Sequence, residues 1–356
     1  MPIINQVVKG SGGSAPERYI SVNESNNKLV SDTATVFPLP NTVSDISPFL
    51  LGGAYAGNSS ISSIVIGGNN INLTGENCMN QCFKGSSISS LDFSSLVSVS
   101  GTYALNNLCF SCRSLTSVNL SGLKVLSYAQ NAFSGCSSLS SVNMASLEVI
   151  SAAAGNFLSE TALTSYEFDK LVYVGSYSAS SFFSQCTSLT NVKFYSLNRV
   201  AMSGINSMFF RCTSLTDVYF YALRTVDNAN SFSNILQLDT NVTMHFPSNL
   251  DPQGGSTVIS SLQGYPTFGG TNTVLAFDLP ATVILTGANT TEYERNPKYD
   301  TATALAWRVK DTGTAPNLTI DWTPFYTSGT TDPQVNDTIY SDSACTTAVT
   351  TISAIA

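Results

Sequence analysis

The sequence predicts an α/β repeat: a solenoid with a parallel β-sheet along one face, followed by a small all-β C-terminal domain. Three observations carry this expectation. A short segment recurs at steps of 24 to 27 residues. Its closing positions alternate apolar and polar, the period of a strand with one buried face. Charged residues make up 11% of the chain and hydrophobic residues 43%. An ordinary soluble domain carries about 25% charged residues. The polar surface is therefore Ser, Thr, Asn and Gly, which suits exposed β-structure better than long helices.

The segment CSSLSSVNM (Cys136–Met144) recurs as CRSLTSVNL (Cys112–Leu120), CTSLTNVKF (Cys186–Phe194) and CTSLTDVYF (Cys212–Phe220), with looser copies at Glu160–Phe168, Gly85–Phe93 and Ser59–Ile66. Anchored on the first aliphatic residue, the rungs fall at Ile61, Ile88, Leu115, Leu139, Leu163, Leu189 and Leu215. Leu96, Leu123, Leu147, Leu171, Leu197 and Leu223 follow eight residues after an anchor, and Val99, Leu126, Ile150, Val174, Val200 and Val226 three residues later. Phe133, Phe157, Phe183 and Phe209 stand six before one. Val118 and Leu120 should point inward, and Ser117 and Asn119 outward. A single rung cannot bury its apolar side alone, so stacked rungs share one core. The stretch AQNAFSGC (Ala129–Cys136) should form a helical turn or an irregular back wall.

These motifs resemble the BspA-type leucine-rich repeats, whose pattern is L-x-x-V-x-φ followed by A-F-x-x-C. The resemblance covers roughly residues 40–246 and implies a leucine-rich-repeat solenoid. The rungs depart from that pattern in lacking its common proline after the strand. Such repeats serve adhesion, display and recognition alike, so the fold does not name the function.

Residues 1–18 read as a linker or attachment segment, 19–58 as the N-terminal cap, 59–250 as the solenoid and 256–356 as a C-terminal β-domain. Tyr19–Val22 and Lys28–Val30 should pair as a hairpin, and Val43–Ile46 fits half of a degenerate first rung. Leu238–Phe246 reads as the last rung. Asp251–Gly255 marks a shift in composition, and Ser256–Gly264 reads as a short helix. Later strands are expected within Thr273–Leu285, interrupted by Pro280, and at Ala304–Val309, Leu318–Trp322, Thr338–Tyr340 and Ala348–Ile352. The first dozen residues, Leu285–Val309 and Asn336–Cys345 resemble tail or fibre proteins of gut bacteriophages, which implies a virion context and no particular chemistry.

Chemistry-bearing groups are few. The one histidine, His245, lies in a strand pattern between Met244 and Phe246 and should face solvent, so no Ser-His-Asp site is expected. Cys112, Cys136, Cys186 and Cys212 each stand three residues before an anchor and should stack as buried thiols. Cys82 and Cys109 take the phenylalanine slot. The pairs Cys78/Cys82 and Cys109/Cys112 admit a zinc or disulfide reading, but the repeat makes structural thiols the better one. Glu292, Glu294 and Asp300, with Arg295 and Lys298, read as a solvated loop rather than a glycosidase pair. No catalytic residue, metal site or cofactor is expected. A net charge of −8 with no basic cluster disfavours nucleic acid. No apolar run of about 18 residues is present, so membrane insertion is not expected. Met1–Pro16 does not read as a signal peptide.

The outward positions form columns. One runs Asp92, Asn119, Asn143, Glu167, Lys193, Tyr219; a second Ser90, Ser117, Ser141, Ser165, Asn191, Asp217; a third Ser94, Ser121, Ala145, Asp169, Tyr195, Tyr221. Early rungs are bland. Later rungs gather Glu167, Asp169, Lys193, Tyr195, Asp217, Tyr219 and Tyr221, which form the candidate ligand site, because tyrosine offers an apolar ring with a polar tip. The structural alternative is that tyrosine simply favours strands. Trp307, Trp322 and Tyr326 of the C-terminal domain are the second candidate surface. The expected function is non-enzymatic: a phage tail or head fibre binding a host cell-surface glycan or protein, with other virion proteins as neighbours; the sequence leaves the oligomeric state open, a homotrimer being one option. The alternatives are a surface-displayed or secreted bacterial adhesin and, last, an enzyme acting on surface polysaccharide.

Overall fold

The computed structural model describes residues 70–250 and 271–356, except 228, 272 and 315, together with 21–23, 28–30, 36–37, 56–57, 59 and 63–66. It is built of strands and turns, with helix confined among the described residues to short 3-10 segments such as Ala229–Phe232 and Ser248–Leu250. The segments 43–46 and 251–264 lie outside the described residues.

The front face is a parallel sheet made of the alternating positions. Val36–Phe37, Ser63–Ile66, Ser90–Asp92, Ser117–Asn119 and Ser141–Asn143 form one ladder. Ser165–Phe168, Asn191–Phe194, Asp217–Phe220, Thr243–Pro247 and Val274–Leu279 form a second. Equivalent repeat positions pair, as in Ser117 with Ser141 and Lys193 with Tyr219, so the columns read from sequence are real columns. Ser21–Asn23 and Lys28–Val30 pair as the expected hairpin.

A second parallel sheet accompanies the first. Ile71–Leu73, Leu96–Val99, Val125–Leu126, Val149–Ile150, Tyr173–Val174, Arg199–Val200 and Thr225–Val226 stack along it. A tight turn joins the two strands of each rung. At Gly122 an added Cβ would lie 2.3 Å from the carbonyl oxygen of Ser94 in the preceding rung, so this one position takes glycine where other rungs hold a side chain.

The back wall is the irregular alternative, and it still satisfies its backbone. Residues with positive φ recur every fourth position, as at Tyr103, Asn107 and Ser111. Amides of Asn107, Cys109 and Ser111 donate to carbonyls of Gln130, Ala132 and Ser134 in the next rung, while those of Asn106, Leu108 and Phe110 turn back three residues within their own rung. Amides thus bond alternately between rungs and within them, which accounts for polar groups that a buried wall must pair.

The core runs the length of the stack. The anchors Leu115, Leu139 and Leu189 are fully buried, as are Cys112, Cys136, Cys186 and Cys212. Each of these thiols donates to a carbonyl of the preceding rung: Cys112 to Phe83, Cys136 to Cys109, Cys186 to Leu158 and Cys212 to Phe183. The position therefore selects a small apolar side chain carrying a weak donor. Burial pushes the Cys136, Cys186 and Cys212 thiols up. In the later rungs the inward aromatics form a continuous stack, with Phe168 to Phe194 and Phe194 to Phe220 at 5.0 Å and Phe220 to Phe246 at 5.3 Å. That spacing is close to the roughly 4.7–4.9 Å between strands, so the ladder itself brings the rings into register.

The C-terminal region is a closed antiparallel barrel of six strands: Ile284–Gly287, Glu292–Arg295, Ala304–Val309, Phe325–Ser328, Thr338–Tyr340 and Ala348–Ile355. Its interior holds Leu285, Tyr293, Trp307, Ile339 and Ile352. The expectation of a solvated loop around Glu292, Glu294 and Asp300 is corrected here. Glu292–Arg295 is a barrel strand in which Tyr293, Glu294 and Arg295 are all buried. Tyr293 points into the barrel core, and Glu294 points the other way, to where Arg308 on the neighbouring strand and Arg224 on the solenoid close on its carboxylate. Arg295 forms a two-pronged pair with Asp300, both contacts at 2.7 Å. Alternation hid this strand because both of its faces are covered, one by the barrel and one by the solenoid.

Candidate ligand-binding site

The barrel docks on the later rungs, near where their front strands turn into the second sheet. Beyond the Arg224–Glu294–Arg308 triad, the Trp322 indole N–H donates to Glu148 at 2.9 Å, and the Trp322 ring lies beneath Lys170 and Arg308. Burial pushes the Glu294 carboxyl up, and the two guanidiniums pull against that shift. Trp307 is fully buried and Tyr326 nearly so. Trp322 faces the solenoid, so these three residues form no open aromatic patch.

The outward face of the later rungs carries two linked groups. The first is ionic. Glu167 accepts from Lys193 at 3.0 Å and from Lys298 at 2.8 Å. Lys298, which comes from the barrel, also lies 3.2 Å from Asp169 and 4.6 Å above the Tyr195 ring. The hydrogen bond from Lys298 holds the Glu167 carboxyl below its usual range, and the bond to Glu167 raises Lys193.

The second group is aromatic. Tyr195 stacks on Tyr221 at 5.0 Å, Tyr221 lies 5.9 Å from Tyr219, and Tyr219 stacks on His245 at 4.3 Å, all within 12° of parallel. His245 sits between two carboxylates, with Nε2 3.1 Å from Asp217 and Nδ1 2.9 Å from Asp278. Burial raises the hydroxyls of Tyr219 and Tyr221 above their ordinary value.

The structure therefore brings Glu167, Asp169, Lys193, Tyr195, Asp217, Tyr219 and Tyr221 onto one band of surface. Sequence reasoning passed over three contributors. His245 lies on the outward face as expected, but its side chain is only 13% exposed because Tyr219 and the two aspartates enclose it. A step of 26 from Tyr219, which is the pairing register, leads to His245. The reading of Leu238–Phe246 as the last rung already holds that register, but the outward column was followed only as far as Tyr219. Asp278 and Lys298 come from beyond the repeat and left no periodic signal.

Beside this band the front sheet is interrupted. Ser141–Asn143 and Ser165–Phe168 belong to different ladders, although Ala162 still bonds to Leu139 and Val149 still pairs with Tyr173. The cause lies at the inward position that is Val118, Val142, Val192 or Val218 elsewhere and Tyr166 here. The Tyr166 ring packs on Phe168 at 4.7 Å and on Phe183 at 5.7 Å. A ring in a valine slot wedges the strands apart. The opening is a pocket of about 270 Å³ lined by Val142, Asn143, Met144, Ala145, Ser165, Tyr166, Glu167, Asp169 and Lys298.

Among the described residues, no group of three or more His, Cys, Asp or Glu side chains is placed to hold a metal, and no helix is long and apolar enough to cross a membrane. The family model of the BspA type leucine rich repeat region matches in six copies, over residues 52–179 and 105–239. Solved structures similar to the chain include a leucine-rich repeat protein from Bacteroides ovatus, at 16% identity over 67% of this chain and 76% of that one, with a TM-score of 0.27. Another is a leucine-rich repeat protein of T. pallidum, at 14% identity over 74% of this chain and 99% of that one, with a TM-score of 0.30. No curated protein matches the sequence.

Proposed function

Because the chain belongs to the BspA type leucine-rich repeat family, we propose that it is a non-enzymatic recognition protein that binds a cell-surface glycan or protein through the outward face of its later rungs. The observation that carries this is the near-parallel row Tyr195, Tyr221, Tyr219 and His245. Neighbouring strands hold these rings in place, so binding costs little side-chain entropy, and rigid aromatics commonly supply most of an interface's energy. The flanking pairs Glu167–Lys193 and Asp169–Lys298 fix polar groups beside the row, and Asp217 and Asp278 around His245 leave its far end acidic.

Display on a virion, as a tail or head fibre among other virion proteins and as a homotrimer, is the reading that the resemblance of Leu285–Val309 and Asn336–Cys345 to gut phage proteins favours. A bacterial surface adhesin or display protein is the alternative, and it is the one the repeat family supports. Labelled full-length chain should bind bacterial cells, and periodate oxidation of the cells should abolish binding if the partner is a glycan. Binding that survives periodate and is lost on protease treatment assigns a protein partner. Absence of binding to any host or neighbouring cell contradicts the proposal. Antibody labelling of particles and cells separates the two locations.

A further inference from the structure

We propose that the pocket at the break in the front sheet is a subsite for a single neutral hexose of a surface polysaccharide. This deepens the reading of the front face as a glycan-binding surface and rests on it. The pocket's walls are strand edges that do not pair with each other. Unpaired edges normally invite association and are avoided or covered, yet Tyr166 holds this pair open from inside the core. The unpaired edges and the Asn143 side-chain amide, whose Oδ1 also accepts from the Ala145 N–H, offer donors and acceptors, while Val142, Met144 and Tyr166 give an apolar wall. A pyranose presents that same combination, a hydroxyl edge and a C–H face.

Size and charge narrow the ligand. At about 270 Å³ the pocket lies just below the roughly 300–1,000 Å³ of sites for drug-sized ligands, which suits one sugar ring rather than an extended peptide. Glu167 and Asp169 are balanced by Lys193 and Lys298. An acidic sugar would meet two carboxylates, and an amino sugar would compete with a lysine already seated between them. A neutral hexose meets acceptors and donors without displacing either charge. Tyr195 lies directly beyond Lys298, so a polysaccharide running along the sheet would place its next ring on the Tyr195–Tyr221 pair.

Saturation-transfer NMR on the full chain tests this with the methyl glycosides of glucose, galactose and mannose, the methyl glycoside of glucuronic acid, and an acetylated tetrapeptide. At least one neutral hexoside should receive saturation, and the glucuronide and peptide should not. Ala145→Trp fills the pocket from its exposed rim and should weaken hexoside binding at least tenfold, and Asn119→Ser on an early rung should leave it unchanged. Lack of transfer to every hexoside, transfer that survives Ala145→Trp in a chain with parental thermal unfolding, or binding of the peptide in place of the sugars overturns the proposal. Polysaccharide binding that depends on Tyr195 and Tyr219 but ignores Ala145→Trp would leave the wider face standing and remove the subsite. Dependence on Ala145 alone would do the reverse.

Discussion

Glu292 and Glu294 lie on the same face of one barrel strand, and their fates on truncation should differ sharply. Glu294 is 2% exposed and is held by Arg308, itself 1% exposed, and by Arg224 of the solenoid. Glu294→Ala removes the carboxylate that holds the buried Arg308 against the partly exposed Arg224, and leaves only Asp311 and Glu148 as nearby counter-charges. Breaking a buried pair in this way costs about 3–5 kcal/mol, most of it the penalty of the orphaned charge. Glu292 pairs with Lys310 at 2.7 Å, but the side chains are 48% and 40% exposed. An exposed pair of that kind contributes about 0–1 kcal/mol. Both tryptophans, Trp307 and Trp322, lie in the C-terminal region, one in the barrel core and one against the solenoid. Tryptophan fluorescence during urea unfolding therefore reports the barrel and its docking, not the repeats. Glu294→Ala should move that transition to much lower urea, while Glu292→Ala should leave it within about 1 kcal/mol of the parent. Equal midpoints for the two variants would refute the buried triad and with it the docked arrangement.

Three further expectations follow from the packing. Leu139→Ala should cost roughly 2–5 kcal/mol, because the side chain is fully buried between neighbouring rungs, while Ser141→Ala on the exposed face should cost under about 0.5 kcal/mol in thermal unfolding; equal losses would show the register to be wrong. Under native alkylation only Cys345, the one partly exposed thiol, should react, with all eight reacting after denaturation; two or more of Cys112, Cys136, Cys186 and Cys212 found paired by mass spectrometry would contradict the thiol ladder. Asp239 is buried, and burial pushes its carboxyl up to about 7 against the opposing pull of the Cys212 backbone. The folded state then holds its proton more tightly than the unfolded chain, so stability is full below about pH 4 and falls as pH rises toward 7, by up to about 4 kcal/mol at 1.36 kcal/mol per pH unit. Asp239→Asn should flatten that decline in urea midpoints measured from pH 4 to 8, and an unchanged slope would show that water reaches the carboxylate.

What the sequence made legible was the part built by repetition. Fixed offsets located the anchors, the thiol column and the outward columns, because each rung solves the same packing problem as its neighbour. The second sheet was visible only as a recurring aliphatic pair such as Val149 and Ile150, too short for alternation to mark it as a strand. The candidate band was found in part. Tyr195, Tyr219 and Tyr221 were readable from periodicity, but Lys298 and Asp278 reach the face through tertiary packing across more than 30 residues of sequence. Glu294 misled for a related reason. Charged residues usually mark solvent, and only the docking of the barrel on Arg224 makes this one the partner of a buried Arg308. The break in the front sheet was written in one letter, Tyr166 in a valine column, and its consequence depends on the rings of Phe168 and Phe183 around it.

The account turns on the outward face of the later rungs. The most direct test compares the binding of full-length chain to bacterial cells, or to polysaccharide isolated from them, for the parent, for Asn119→Ser, and for the double variant Tyr195→Ser with Tyr219→Ser. The double variant removes the stacked rings and leaves the inward positions Phe194, Val218 and Phe220 untouched, so its unfolding should stay close to that of the parent. Its affinity should fall at least tenfold while Asn119→Ser binds as the parent does. A double variant that folds normally and binds as tightly as the parent would contradict the account and place recognition elsewhere on the molecule.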